Sequence, residues 1–470
     1  MIRLLKTHII NYRPWWVLAA MATCLALSFL DMTAVPISLP QIQRSLQSTD
    51  IMLQWVVNAY LLTLAVFIIM GGRLGDMVGY RRIFFTGAVI FFIASICCAT
   101  ATSTIILIAA RALQGMGGAF LIPSTSVIIL NTFEPQNRGK AIGIYVGTAS
   151  VFLAFGPFVG GILTGLASWR WVFWLNIPLL VASIVLTLLS VAKDPIKPVK
   201  KHMDWWGLIL LIIALTSLTL AIMEGYSLGI RSYLLMILLF FAVVGALLFI
   251  IVERRVNDPL VDFSIFKNKI YVAGVIAIFC LQFVLITGVF RAIWLQNVLG
   301  YTPTIAGLLT LPGTVPILIM SPLGGRLLDK YGVGLPTITG LLLSIFGMLF
   351  VAVTTFFQNY WIMLPGVVCL GLGVPLAITP LITTALSSVE IQKRGIASGV
   401  FNATRQAGGT LGLALLGAIV TVVSSYYLAA HRSSQMAYTN AIAITSFVAT
   451  FFIFIALVAV YRIRNTKLTA

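Results

Sequence analysis

Two of the twelve acidic residues fall inside long apolar runs, Asp31 in LALSFLDMTAVPISLPQI and Glu224 in AIMEGYSLG. Three arginines share that setting: Arg111, Arg291 and Arg405. A charge held in apolar surroundings costs several kcal/mol and persists mainly where it has a partner or a task. A lone carboxyl and a guanidinium make no bonds to carbon. What they can do is take up a proton, release it and exchange ion-pair partners. The constellations of an enzyme are missing. His8, His202 and His431 lie outside the apolar runs, and Cys24, Cys97, Cys98, Cys280 and Cys369 lie inside them without metal-ligand spacing. No phosphate-cradling glycine loop is present, so neither ATP drive nor a bound cofactor or metal is expected. A channel would repeat a filter motif, and nothing in the chain resembles one.

The elements that carry these charges are membrane spans. The 470 residues are 60% hydrophobic and 9% charged, with a mean hydropathy of +1.06. Fourteen uncharged or nearly uncharged runs of about 20 residues recur, and a membrane-crossing helix needs about that length. They cover roughly 15–39, 51–71, 83–102, 104–131, 140–167, 171–192, 206–225, 232–252, 271–296, 303–325, 335–357, 360–386, 396–424 and 438–461. A β-barrel strand is about 10 residues of alternating polarity, which these runs are not. The expected fold class is therefore an all-α polytopic membrane protein.

The net charge of +18 invites a nucleic-acid reading, which the positions remove. With both termini cytoplasmic, inner loops and tails hold 23 of the 30 Lys and Arg, and outer loops hold four: Arg44, Arg170, Arg231 and Arg432. That asymmetry is the positive-inside pattern and reports orientation in the membrane, not a polyanionic partner. The other acids also sort to loops: Asp76, Glu134, Asp194, Asp204, Glu253, Asp258, Asp262, Asp329 and Glu390 inside, Asp50 outside. The basic N-terminus leads into some 25 apolar residues, too long for a signal-peptide core, and reads as an uncleaved first span.

The chain repeats itself. GGRLGDMVG at 71–79 returns as GGRLLDKYG at 324–332, offset by 253 (Asp329 minus Asp76). EPQNRGKA at 134–141 returns as EIQKRGIA at 390–397, offset by 256 (Arg394 minus Arg138), and LQGMG faces CLGLG at the same offset. Two halves of six spans each follow, residues 1–192 and 270–470. Residues 193–269 form a charged linker with two inserted spans. Repeats of this kind build secondary transporters with a site near the bilayer midplane. The duplicated stretch reads as a short inner loop whose glycines permit positive φ, with an acid placed to meet a helix N-terminus of the other half.

These motifs are similar to those of the major facilitator superfamily, specifically its fourteen-span drug:proton antiporters, over about residues 15–462. The inner-loop signature is Gly72-Arg73-Leu74-Gly75-Asp76-Met77-Val78-Gly79-Tyr80-Arg81-Arg82. LDMTAVPISLPQI at 30–42 resembles the exporters' first-span signature, RALQGMGG at 111–118 the fourth-span motif and GPFVGG at 156–161 the fifth-span antiporter motif. SWRWVFWLNIPL and NATRQAGG match the same group. Phe152 departs from the pattern, standing where a small residue is usual, and the second-half spans lack the extra acids of multivalent-cation exporters.

The resemblance implies two six-helix bundles rocking about a central cavity, export rather than import, and a two-copy latch. The latch residues are Gly72, Asp76, Gly79, Arg81 and Arg82, with Gly325, Asp329 and Gly332. It also gives Gly156, Pro157, Gly160 and Gly161 a part in a closely packed, bent cavity wall. Counting about 1.5 Å per residue puts Asp31 and Arg111 at similar depth, so they can meet. Burial favours the protonated form of Asp31 and the guanidinium favours the carboxylate, so movement can exchange a proton; a permanent pair joining two helices is the alternative. Ser28, Asp31 and Ser38 share one helical face.

Asn58, Tyr60 and Gln114 are candidate cavity residues, with Asn402 and Arg405 on a polar face of the thirteenth span. A cavity-facing Arg405, about 15 Å deep, would favour anionic, zwitterionic or neutral cargo over dications. Arg291, counted along the ninth span, is expected at the outer interface, as is Glu224. The expected function is proton-coupled export of amphipathic small molecules or drugs across the cytoplasmic membrane, with small-molecule cargo, protons and the lipid bilayer as partners. A dedicated exporter of one metabolite, siderophore or lipid is the alternative.

Overall fold

Each of the fourteen apolar runs is helical in the computed structural model, which describes residues 13–192, 203–229, 231–256, 259–390 and 393–463. Arg3, Lys6, His8, Lys193, Asp194, Lys197, Lys200, Lys201, His202, Asp258, Arg464 and Lys467 lie outside the described residues.

Local chemistry sets the helix ends. Thr49, Ser103, Asn268 and Ser433 accept from backbone N–H groups of the first turns of the second, fourth, ninth and fourteenth spans; these donors would otherwise lack partners. The repeated glycine-and-charge stretch is not a loop. Helix continues through it to Val78 in one copy and Tyr331 in the other. Only Gly79 and Gly332 turn the chain, at φ 106° and 77°, values that a side chain rarely adopts. The first helix likewise runs on to Leu46 through Pro36 and Pro40 instead of ending near residue 39. In both cases the helix outlasts its apolar run, because polar side chains at the membrane boundary do not oblige a helix to stop.

Two spans are each interrupted by one or two residues that keep helical dihedrals. The sixth divides into Arg170–Trp174 and Asn176–Ser190, and the tenth into Pro303–Thr314 and Ile317–Tyr331. The fifth, Pro135–Leu166, stays a single helix through Pro157.

Spans one to six pack mainly among themselves, as do spans nine to fourteen, and the halves meet along two seams. One seam joins the second and thirteenth spans, the other the fifth and tenth. Gly161 and Gly307 make the second seam possible. A Cβ on either would stand 2.5 Å from a carbonyl oxygen across it, that of Pro303 or Pro157. Phe152 does not hold the first and fifth spans apart, since a Cβ on Gly160 would lie 2.7 Å from the Ala34 carbonyl oxygen.

The inserted pair is asymmetric. The seventh span lies against the second and thirteenth, and the eighth packs on the seventh. Ala242, Gly245, Phe249 and Glu253 form the buried stripe of the eighth span, the i, i+3, i+7, i+11 spacing of one helix face. The rest of its surface is apolar and exposed, as suits lipid contact.

Candidate functional site

Asp31 sits at the centre of the first half, 0% exposed, in a shell of hydrogen-bond donors. Arg111 Nη1 donates to Asp31 Oδ2, forming an ion pair between the first and fourth spans. Gln114 Nε2 donates to Oδ1 at 3.2 Å and Asn176 Nδ2 to the same oxygen at 3.1 Å. The Ser95 hydroxyl accepts from both amides, at 3.0 and 3.4 Å. Four helices thus contribute to one carboxylate. Arg111 and Gln114 are three residues apart and therefore on one face of their helix; Arg111 Nη1 also donates to Gln114 Oε1 at 2.7 Å.

The guanidinium is fixed on its other sides. Nε donates to the Val56 carbonyl at 3.0 Å. Its carbon lies 4.3 Å from the centroid of the Tyr60 ring, close enough for cation–π attraction. Arg111 and Tyr60 belong to the wall of a central cavity of about 190 Å³, and Asp31 does not. The acid therefore stands behind the arginine, within the first-half bundle, instead of facing the cavity. The remainder of its expected polar face is satisfied locally: Ser28 donates to the Cys24 carbonyl at 3.1 Å, and the Ser38 hydroxyl bonds that of Thr164 at 2.7 Å.

The cavity lies between the halves. Its walls come from the first, second, fourth and fifth spans on one side and the ninth, tenth and twelfth on the other. Of the residues expected there, Tyr60 and Pro157 line it, and Asn58, Gln114, Asn402 and Arg405 are not among the lining residues. Asn58 is two residues from Tyr60, about 200° around the helix. Its amide faces the seventh span, where it contacts Met223 Sδ at 3.1 Å. Asn402 donates to the Ser398 carbonyl at 3.0 Å within its own helix. Arg405 is partly buried, and its Nε has no partner.

Arg291 overturns the expectation made for it: it lines the cavity instead of reaching an interface. Depth along the ninth span was countable from sequence, but direction was not. Val284, Gly288 and Arg291, at i, i+4 and i+7, all line the cavity, so this face of the helix turns inward. Asn176 and Ser95 were also missed as site residues. Asn176 carried a signal, as the one amide among the apolar residues of the sixth span.

At the end of the bundle away from Arg13 and Tyr461, polar contacts join the halves. Gln296 Nε2 donates to the Ile37 carbonyl at 2.8 Å, Thr304 to that of Gly161 at 3.2 Å and Tyr438 to Asp50 Oδ2 at 2.5 Å. Glu224 lies near that end too, accepting from Ser227 at 3.0 Å. At the opposite end, the two copies of the repeated motif pack alike. A Cβ on Gly72 would lie 3.9 Å from Pro123, and one on Gly325 4.0 Å from Thr379, positions related by the 256-residue offset. Tyr80 donates to Asp76 Oδ1 at 2.5 Å, Arg81 lies over the Phe85 ring at 5.3 Å, and Arg73 donates to the Pro259 carbonyl of the linker at 3.2 Å.

Known proteins share this organisation. The chain is 35% identical over 406 residues to the multidrug resistance protein Stp of Mycobacterium tuberculosis, covering 86% of this chain and 75% of that protein. It is 31% identical to the tetracenomycin C resistance and export protein of Streptomyces glaucescens, covering 87% and 76%. With a methylenomycin A resistance protein of Bacillus subtilis it shares 30%, covering 88% and 89%. Among solved structures, a bacterial homologue of the human lysosomal transporter Spinster, inward-facing and unoccupied, superposes with a TM-score of 0.68 at 16% identity, covering 96% of each chain. A D-xylose–proton symporter does so at 0.63 and 15%, covering 94% and 97%. At those identities the likeness concerns the fold. The family profile of the Major Facilitator Superfamily matches residues 21–413, and the chain belongs to that superfamily of multi-pass membrane transporters.

Proposed function

We propose that this protein exports amphipathic small molecules or drugs across the cytoplasmic membrane by alternating access, in exchange for protons, with both termini on the cytoplasmic side. Relatives named for multidrug resistance and for antibiotic resistance and export support a drug-like cargo. The observation that carries proton exchange is the placement of Asp31: fully enclosed, held by Arg111, with Arg111 alone of the pair reaching the cavity.

While Asp31 is charged, its pull keeps the Arg111 guanidinium against the first-half bundle and out of the cavity. A proton on Asp31 removes the charge at which Arg111, Gln114 and Asn176 are aimed. The released guanidinium then swings toward the cavity, into the volume the cargo needs. Cargo and proton exclude one another through one side chain, and the two halves carry each in turn across the membrane. The duplicated inner motif, with Asp76 and Asp329 at matched places, would latch one of the two states. A dedicated exporter of a single metabolite would use the same steps.

The test is transport in liposomes holding the purified full chain, using a fluorescent amphipathic dye as cargo. An imposed pH gradient drives accumulation in the wild type, and Asp31→Asn, which cannot recharge and so leaves the guanidinium in the cargo volume, abolishes that accumulation and weakens dye binding. Identical dye movement with and without the gradient in the wild type would overturn the exchange.

A further inference from the structure

The central cavity contains a positive charge that no acid among the described residues balances. Arg111 is neutralised by Asp31 from behind. Arg291, facing it from the ninth span, has no such partner. No Asp or Glu lines the cavity, and among the described residues no hydrogen bond reaches the Arg291 guanidinium. Its Nη2 lies 3.9 Å from where a Cβ would stand on Gly288 and on Gly313, so small residues on two spans leave its head group uncovered. The nearby Tyr360 hydroxyl donates to the Leu309 carbonyl at 2.6 Å instead.

The internal repeat sharpens this. The 256-residue offset pairs Arg111 with Val367, and Val367 packs on Gly313. The second half thus has an apolar residue where the first has its paired arginine, and carries an unpaired one on a different span. A guanidinium stays charged throughout the accessible pH range, and it is costly among apolar groups unless something completes it. Its planar fork matches the paired oxygens of a carboxylate or sulfonate. Elsewhere on the cavity wall, Tyr60, Leu285, Pro157 and Val374 offer rings and hydrocarbon.

Resting on the export reading above, we infer that the cargo is an amphipathic anion: an acidic group that pairs with Arg291, joined to an apolar body that fills the cavity. The sign has a consequence for coupling. An anion beside Arg111 electrostatically favours a proton on Asp31, so their mutual exclusion must be steric. The cavity, about 190 Å³, is smaller than the ~300–1,000 Å³ of ordinary ligand sites. It cannot hold both a cargo and a released guanidinium without widening.

Two probes of one shape and opposite charge test this, 9-anthracenecarboxylate and 9-(aminomethyl)anthracene. Equilibrium binding of each to the full chain in lipid nanodiscs is measured at one pH, with no gradient. The wild type binds the carboxylate roughly tenfold tighter than the ammonium, a preference Arg291→Gln removes by weakening the carboxylate alone and Arg291→Lys partly keeps. Preference for the ammonium, binding of neither probe, or equal loss of both in a folded Arg291→Gln protein would overturn the inference. If the variant does not fold, the wild-type preference decides. No gradient enters the measurement, so its failure leaves proton exchange standing, and failure of exchange leaves the anion preference standing.

Discussion

Asn176 of the sixth span donates from one amide nitrogen to Asp31 Oδ1 at 3.1 Å and to Ser95 Oγ at 3.4 Å. Asn176 follows Leu175, where the backbone keeps helical dihedrals (φ −59°, ψ −30°). The sixth span thus presents a neutral donor to the acid that Arg111 neutralises. Removing the donor leaves the ion pair but strips the carboxylate of a bond worth about 1.5–3 kcal/mol. In Asn176→Ala, gradient-driven dye accumulation should fall roughly tenfold while equilibrium dye binding is kept. Unchanged accumulation would mean that Asn176 only fills space.

The legible part of this site was the part set by length and charge. Asp31 and Arg111 stood out because ionisable residues in apolar runs are rare, and the fixed rise of a helix placed them at one depth. The fourteen spans and the two halves followed from run length and from the two motif offsets. Direction around each helix was not readable, because these spans are apolar on nearly every face. Tyr60 and Asn58 were equal candidates until the neighbours of the second span fixed which side met the cavity. Arg291 and Arg405 exchanged significance for the same reason. Ser95 left no mark at all, since a serine in a long apolar helix commonly bonds its own backbone.

At the end away from the termini the Tyr438 hydroxyl crosses between the halves to Asp50 Oδ2 at 2.5 Å. Gln43 holds the other oxygen of that carboxylate at 2.7 Å. Tyr438→Phe removes only the bond between halves and keeps the ring. Loss of a hydrogen bond to a charged group costs about 1.5–3 kcal/mol, all of it in the state closed at this end. A cysteine placed at cavity residue Ile37 should then react at least roughly tenfold faster with a membrane-impermeant thiol reagent added from that side. Unchanged labelling would show that the other contacts between the halves, those of Gln296 and Thr304 included, keep this end shut without it.

The seam between the fifth and tenth spans should be less tolerant. Gly161 and Gly307 face each other's helices with no room for a methyl group, and the nearest atoms are backbone carbonyl oxygens that cannot turn aside. Gly307→Val drives the two helices apart in this state, at a cost of about 1–3 kcal/mol by overpacking. Transport should fall roughly tenfold, with thermal stability lowered. Gly147→Ala serves as the control: it lies on the same fifth span with nothing within 4 Å of its Cβ position, and its transport should match the wild type. Equal behaviour of the two variants would refute close packing as the reason for glycine at this seam.

Lys393, just before the thirteenth span, bridges to Asp262 of the linker at 3.1 Å and donates to the Ser264 hydroxyl at 2.6 Å. Partial burial works against the Asp262 charge, but the bonds from Ser264 and Lys393 outweigh it and hold the carboxyl below its ordinary range. A depressed carboxyl stabilises the folded state above its unfolded value, about 3.9, and loses that contribution as pH falls through the lower folded value. Both side chains are partly exposed, at 36% and 26%, so screening keeps the bridge near the surface-pair range of about 0–1 kcal/mol. Lys393→Ala should therefore lower the thermal midpoint slightly at pH 7 and by the same amount at pH 5. The difference should shrink only below about pH 4 and also fall with added salt. A gap that closes between pH 7 and pH 5 would assign the bridge's stability to some group other than Asp262.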